Sequence, residues 1–202
     1  MPSEQTVDEA LVTAVSNTDD AVGVESSHWY IAIVNNHSER GCSERLSLLG
    51  YDNYVPIQHV TVTGKNGRKH EVTRVVLPAL VFVRTNERIR RTQVAVLPFI
   101  NRFMTDPARR NNPRLNSPVA IIPDDQMQAF RCMVENADVP VQMEGVLYHQ
   151  GDRVRVSRGK LAGLEGFVSK TNEGKTRLCV SLDILGCASV EMDQSCLEKV
   201  IS

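Results

Sequence analysis

Arginines are the residues of this chain whose type and spacing are best suited to chemistry. Arg88, Arg90 and Arg91 cluster in a segment that we predict as a helix. Guanidinium groups bind phosphates through charge and paired hydrogen bonds, so this cluster could contact a nucleic-acid backbone. A second group follows in the next predicted strand and loop, and consists of Arg102, Arg109, Arg110 and Arg114. The alternatives are a solvated helix face and a disordered loop. No aromatic residues are interleaved to stack on bases.

Residues that usually carry catalysis or bind metals form no recognisable pattern. The histidines show neither H-x-x-x-H nor H-E-x-x-H spacing, so a helical zinc site is not predicted. The sequence also lacks G-x-S-x-G, G-x-x-x-x-G-K-[ST] and G-x-G-x-x-G. The pair Asp124-Asp125 fits the first turn of a helix better than a catalytic site. We therefore expect a non-enzymatic protein that needs no metal and no other cofactor.

The cysteines indicate a reducing environment. Their number is odd, and Cys42, Cys132, Cys179, Cys187 and Cys196 show no C-x-x-C spacing. We expect buried free thiols rather than a disulfide framework or a zinc site. The N-terminus has no basic residues followed by an apolar core, and no apolar run approaches the roughly 18 residues of a membrane span. These features predict a cytoplasmic protein without a signal peptide and without membrane contact.

Charge is distributed unevenly, although the net charge is only −1. Residues 1–27 contain six acidic side chains and no lysine or arginine, and we predict a mobile acidic tail over 1–26. Residues 28–137 contain 15 basic and 9 acidic side chains, whereas residues 138–202 contain 8 and 9. The basic middle segment permits contact with a polyanion or with an acidic protein surface.

Apolar patterns over residues 27–137 predict an α+β domain. The run from Trp29 to Val34 is typical of a strand buried on both faces. In a helix over 39–49, Cys42, Leu46 and Leu49 would form one apolar stripe. Further strands are predicted over 54–63, interrupted by Pro56, and over 71–76, 79–83 and 99–104, with helices over 86–94 and from Pro123 onward. The order β-α-β-β-β-α-β-α predicts a sandwich of helices on a mostly antiparallel sheet.

The patterns over residues 148–202 predict a small β-barrel. Strand signals occur at 152–156, 165–169, 176–182, 187–192 and 197–200. Residues 138–147 contain Pro140 and Gly145 without apolar periodicity and are predicted to be an interdomain linker. The most specific stretch, residues 151–168, reads GDRVRVSRGKLAGLEGFV. Its valines alternate with arginines as in a half-buried strand, and its glycines permit tight turns.

This strand, glycine loop and returning strand resemble the KOW motif of SH3-like barrels in transcription and ribosome-associated proteins. Everything after the tail resembles NusG-type transcription elongation factors, which join an α+β domain to a KOW barrel. In the first domain the resemblance rests on Trp29-Tyr30 and the run RVVLPALVFV over 74–83. Ala79 and Leu80 stand where glycine and an aromatic residue are typical. That departure, and the run PVAIIPDDQM over 118–127, favour a specialised paralogue, an antiterminator of long operons such as those for surface polysaccharides.

The resemblance implies that the first domain binds the coiled-coil clamp of RNA polymerase through an apolar depression and suppresses pausing. The matching positions are Tyr30, Leu77, Pro78, Leu80 and Phe82. A contact surface needs exposed apolar side chains, so Leu77 and Leu80 are expected to face solvent beside Tyr30. Ordinary core packing is the alternative for each, and it is favoured for Phe82.

The resemblance also implies contacts for the charged residues. The arginines expected to meet the displaced DNA strand or upstream duplex are Arg88, Arg90, Arg91, Arg109 and Arg110. The barrel would recruit a small ribosomal subunit protein or the termination factor Rho, through candidates Arg158, Lys160, Leu161, Leu164 and Phe167. Packing inside so small a barrel competes for its apolar residues. A rival interpretation is an RNA-binding or ribosome-associated module that uses the KOW barrel alone.

Overall fold

The first half of the computed structural model is an antiparallel sheet with packed helices. The structure describes residues 26–109, 117–145, 152–171 and 173–200, so almost all of the predicted tail lies outside the described residues. The strands up to residue 122 are β1 (His28–Ile33), β2 (Asp52–Tyr54), β3 (Ile57–Thr63), β4 (Lys69–Val75), β5 (Leu80–Thr85), β6 (Arg102–Phe103) and β7 (Ile121–Ile122). The helices are α1 (Glu39–Leu48), α2 (Glu87–Ile89) and α3 (Asp124–Asn136). The predicted α+β fold is confirmed.

Strand β1 lies at the centre of the main sheet, whose order is β2-β5-β1-β6, with β7 also paired to β1. All these pairs are antiparallel. Tyr30 is opposite Val83, and Ile31 is opposite Phe82. Because side chains alternate between the two faces of a strand, Tyr30 and Phe82 lie on opposite faces of the sheet. The Tyr30 face packs with α1 and the Phe82 face with α3.

Strands β3 and β4 form a separate two-stranded hairpin. Its base is fixed by the buried amide of Gln58, which donates to the carbonyl of Val139 at 2.8 Å and accepts from the N–H of Val141 at 2.9 Å. On the paired strand, Arg74 donates to the carbonyl of Val141 at 2.8 Å. The hairpin base therefore holds the chain segment that leaves α3.

The second half is an antiparallel sheet with the order β13-β9-β10-β11-β12-β8. Its strands are β8 (Gln142–Glu144), β9 (Arg153–Val156), β10 (Glu165–Lys170), β11 (Thr176–Ser181), β12 (Cys187–Glu191) and β13 (Leu197–Lys199). A sheet-rich C-terminal domain is consistent with the predicted KOW-like barrel. Strand β8 was not predicted, since it lies within the segment 138–147 that we expected to be a linker. It pairs with β12 through backbone groups, which need no apolar pattern.

The two halves pack against each other through one apolar cluster, which we call the shared cluster. It contains Phe82 of β5, four residues of α3 and a set of barrel residues. The α3 members are Met127, Phe130, Met133 and Val134, and the barrel members include Val154, Leu178, Val180 and Leu182. Helix α3 lies directly against β11. Burial of this face therefore depends on both halves of the chain.

Gly186 allows β8 to approach the start of β12. Its φ of +91° lies in the left-handed region, and a Cβ atom there would lie only 2.1 Å from the carbonyl oxygen of Glu144. Gly163 lies in the loop between β9 and β10 (residues 157–164), which we call the KOW loop. It has a similar φ of +87°, but apart from its chain neighbours no atom lies within 4 Å of the corresponding Cβ position. The two glycines therefore separate the cost of backbone conformation from that of a steric clash.

We expect Gly186→Ala to lower the free energy of unfolding by about 3 kcal/mol or more, because a left-handed conformation costs roughly 1–2 kcal/mol with a Cβ and the clash adds to it. Gly163→Ala should show only the backbone cost of about 1–2 kcal/mol. Denaturant unfolding of the two variants measures the difference. Equal losses would show that the approach of Glu144 does not constrain position 186.

Candidate functional site

The turn that leads into β5 presents the residues predicted to bind polymerase. Pro78 is exposed, and Leu77 and Leu80 are half-buried and pack against the shared cluster. Ala79 has a φ of +61°, a conformation that glycine adopts without strain. The structure thus explains why a glycine is typical at this position in the family that the sequence resembles. Here alanine holds the same turn at some conformational cost.

A carboxylate from α1 fixes this turn. Glu39 is buried, and its Oε1 accepts hydrogen bonds from the N–H of Ala79 at 2.6 Å and of His37 at 3.1 Å. His37 also has a positive φ, at 66°. Burial by itself would raise the pKa of Glu39, but these N–H donors stabilise the carboxylate and lower its pKa below the ordinary value. Glu39 thus holds two left-handed residues in place.

We expect Glu39→Gln to lower the free energy of unfolding by about 1–2 kcal/mol at pH 7, because a neutral acceptor binds the two N–H groups less strongly. A lowered folded-state pKa stabilises the fold above the unfolded value, near 4.5, and this contribution is lost as the pH falls through the folded pKa. The difference between wild type and variant should therefore shrink below pH 4.5.

Thermal melting between pH 3 and 7 measures this difference. Glu44→Gln is the control, because Glu44 lies on the same helix with an exposed side chain. A Glu39→Gln defect that stays constant down to pH 3 would contradict the role of the carboxylate charge.

Two of the residues predicted to bind polymerase are buried in the core. Tyr30 is 1% exposed and packs on the α1 face with Phe103, whose ring meets it edge-on at 6.2 Å. Phe82 is 0% exposed, in contact with the rings of Tyr54 and Phe130. The expectation that Leu80 lies beside Tyr30 is wrong, because the register puts them on opposite faces. An apolar run typical of a doubly buried strand does not specify which residue faces which side.

The α3 face completes the apolar surface around Leu77 and Leu80. The sequence pattern placed Met127, Phe130 and Val134 on one side of the helix but gave no sign that the barrel would cover them. Tyr54 lies under the outer edge of α3, where the Arg131 guanidinium stacks on its ring at 4.8 Å. Burial raises the pKa of the Tyr54 hydroxyl, which has no hydrogen-bond partner among the described residues.

Polar contacts border the packing between the two halves. Gln126 of α3 donates to Asp183 of the β11–β12 connection at 2.7 Å. Arg109 pairs with Asp106 at 3.2 Å and lies 3.7 Å from Asp183. Arg109 is 56% exposed, so its two ion pairs contribute little to stability. Together with the partly buried pair Gln126–Asp183, they orient the barrel on α3.

The sequence predicts that Arg90 contacts nucleic acid, but in the structure Arg90 is buried and does not lie on such a surface. Its side chain forms a two-pronged pair with Glu87, at 2.8 and 2.6 Å, and lies over the rings of Tyr30 and Phe103 at 5.4 and 5.1 Å. The hydrogen bonds that Arg90 donates to the Glu87 carboxylate raise the pKa of Arg90 above its ordinary value. The predicted helix widens here into a π-helix (Arg90–Val94), which turns Arg90 inward. Arg90 is a structural residue.

The other predicted phosphate contacts remain at the surface where the structure describes them. Arg88 and Arg91 are exposed on the same short helical segment, and Arg102 is exposed on β6. Arg109 is exposed but paired with Asp106. Arg110, like Arg114, lies outside the described residues.

The KOW loop is divided between core and surface. Leu161 and Leu164 are buried members of the shared cluster, so the prediction that they form a partner-binding face is wrong. They pack inside the barrel under the glycine turns. This is the alternative expected for the apolar residues of so small a barrel. Phe167 is half-buried. The exposed cations are Arg158, which donates to Ser195 at 2.6 Å, and Lys160, which pairs with Asp138 at 2.5 Å.

The structure thus joins an antiparallel α+β domain, with an apolar turn, to a small sheet-rich domain. Comparison with known proteins specifies the class. Residues 27–131 match the sequence model of the family described as transcription termination factor NusG. The chain belongs to the NusG family, whose members are non-enzymatic transcription factors with a general role in elongation and termination.

One relative and one solved structure are also similar to the chain. The chain is 28% identical over 191 residues to the transcription termination/antitermination protein NusG of Pseudomonas aeruginosa, covering 87% of this chain and 99% of the relative. A solved structure of domain interaction in Thermotoga maritima NusG aligns with 87% of this chain and 98% of its own, at 17% identity and a TM-score of 0.45. In the described part of the chain, no helix is long and apolar enough to cross a membrane.

Proposed function

We propose that this protein binds RNA polymerase through an apolar surface made by Leu77, Pro78 and Leu80 together with the apolar face of α3. The proposal rests on the exposure and rigidity of the turn that leads into β5 (residues 77–80), which we call the β5 turn. Its proline is exposed and its two leucines are half-buried, while Glu39 holds the backbone rigid. A rigid turn with accessible apolar side chains loses little entropy on binding, which favours its use as an interface centre.

The barrel covers part of this surface in the structure, because Leu77, Leu80 and α3 all pack against the shared cluster. Polymerase binding through the α3 face therefore requires the barrel to move away. Polymerase would bind the open state, and its apparent affinity would be reduced by the fraction of molecules that are closed. Release would at the same time free the barrel to bind a partner.

Nucleic-acid contact belongs to the exposed arginines of the first domain. Arg88 and Arg91 would bind phosphates of the DNA next to polymerase, with Arg109 as a further contact. Arg110, which lies outside the described residues, is proposed as a contact from the resemblance alone. Arg90 holds their helix on the sheet through Glu87 and Tyr30. The proposed contact is to phosphates, since the sequence offers no aromatic ladder that would stack on bases.

The barrel would recruit a second protein through Arg158, Lys160 and the half-buried Phe167. A small ribosomal subunit protein and Rho are the partners that the family resemblance implies. The departure at Ala79 and Leu80 supports a specialised antiterminator of long operons, such as those for surface polysaccharides. Leu161 and Leu164 are buried and support the loop from beneath, so they would not touch the partner.

Affinity purification of the tagged full-length chain from its host tests the proposal. Retention of polymerase subunits after nuclease treatment supports it. Retention of RNA without polymerase in nuclease-free washes favours instead the RNA-binding or ribosome-associated module. The same tagged chain with Leu80→Ala is purified in parallel. It should retain less polymerase if the contact is made through the β5 turn.

A further inference from the structure

The β3–β4 hairpin carries a cationic tip that the proposed function does not use. The turn at residues 64–68 and the adjoining strand residue hold Lys65, Arg68 and Lys69, all exposed. One carboxylate, Glu71, lies on the ribbon behind them. Among the described residues, no carboxylate forms an ion pair with these three cations. The tip therefore presents charge that is not neutralised within the described fold.

The hairpin is rigid at its base and free beyond it. Val60 is 3% exposed and Gln58 is 1% exposed, and Gln58 is hydrogen-bonded to the segment that follows α3. Beyond Val60 the ribbon continues through three more residue pairs, ending at Thr63 opposite Lys69. At about 3.3 Å per residue this is a projection of roughly 10 Å before the turn begins. A fixed base with a projecting cationic end suits insertion into a charged groove.

The turn itself is well defined. Gly64 donates its N–H to the carbonyl of Arg68 at 2.8 Å, and Gly67 donates to Gly64 at 2.9 Å. Asn66 accepts from the N–H of Arg68 at 3.2 Å through its side chain. Gly67, with a φ of +73°, provides the left-handed residue that the turn requires. The cations are therefore presented from an ordered turn.

We infer that this hairpin is a second nucleic-acid contact, which binds the phosphates of duplex DNA by placing its tip at the major groove. The major groove of B-form DNA is about 12 Å wide and admits a two-stranded ribbon, whereas the major groove of duplex RNA is too narrow for protein side chains. Single-stranded nucleic acid is bound through aromatic stacking, and residues 57–75 contain no Phe, Tyr or Trp. The groove width and the lack of aromatic residues thus both favour duplex DNA.

Binding of the full-length chain to a 20-base-pair DNA duplex, without polymerase, tests this inference independently of the proposed function. Each phosphate contact contributes about −0.9 to the slope of log affinity against log salt. The triple variant Lys65→Gln, Arg68→Gln, Lys69→Gln should therefore reduce the magnitude of the slope by about 2 to 3. Its melting temperature should be unchanged, because all three side chains are exposed.

A matched control removes three positive charges from the barrel, through Lys170→Gln, Lys175→Gln and Lys199→Gln. The control should keep the slope of the wild type. A hairpin variant with the wild-type slope would overturn the inference, as would a loss of affinity equal in hairpin and barrel variants. A loss confined to single-stranded RNA would also overturn it. If the triple variant does not fold, Lys65→Gln alone should still reduce the magnitude of the slope by about 1.

Discussion

Tethering α3 to the barrel should strongly weaken polymerase binding, and cleaving the tether should restore it. Gln126 and Asp183 are joined by a hydrogen bond of 2.7 Å across the two halves, so cysteines at these positions can be bridged by a short, cleavable bismaleimide. A tethered molecule cannot expose the α3 face. Its apparent affinity falls in proportion to the untethered fraction, so roughly 95% tethering should weaken binding about 20-fold.

The native cysteines permit a clean design of the tethered protein. Cys42, Cys179 and Cys187 are buried, whereas the half-buried Cys132 and Cys196 are replaced by serine in every variant. The single-cysteine variants Gln126→Cys and Asp183→Cys, treated with the same reagent, control for modification at either site. Polymerase binding is measured by anisotropy before and after reduction of the tether. Unchanged affinity of the tethered protein would show that polymerase binds elsewhere than under the barrel.

Sequence periodicity was sufficient to predict the fold because most elements bury a regular pattern. The apolar run at Trp29 predicts a buried strand, the alternation in β9 a half-buried strand, and the apolar stripe on α3 a helix. Each segment forms the predicted element. Strand β8 could not be predicted, because three residues at a sheet edge are held by backbone hydrogen bonds and by the space at Gly186. The shared cluster was also hidden, since an apolar helix face does not indicate which partner covers it.

The wrong predictions at the candidate site also arise because the sequence does not show which neighbours surround a residue. Arginine was assigned to the surface by its charge, yet Arg90 is buried because Glu87 and two aromatic rings replace its water contacts. The sequence does not show that Tyr30 and Leu80 lie on opposite faces, because a strand buried on both faces gives no information on register. Ala79 departs from the family pattern, in which glycine is typical. Only its positive φ shows why a residue without a Cβ is favoured there.

Leu80 and Phe82 provide a matched pair for the proposed polymerase contact, because they lie two residues apart on the same face of β5. Phe82 is 0% exposed, so Phe82→Ala should lower the free energy of unfolding by about 3–5 kcal/mol. Leu80 is half-buried, and Leu80→Ala should cost only about 1 kcal/mol of stability. If Leu80 is an interface anchor, the same change should weaken polymerase binding by about 2 kcal/mol, roughly 30-fold.

Denaturant unfolding and polymerase titration of both variants separate contact from core. Leu80→Ala is expected to lose affinity with little loss of stability, and Phe82→Ala to lose stability, with affinity measured only where the protein is folded. Because Leu80 also packs against the shared cluster, its truncation should loosen the barrel, which by itself would raise the affinity for polymerase. A net fall in affinity therefore requires a direct contact. A rise, or a stability loss as large as that of Phe82→Ala, would assign Leu80 to packing alone.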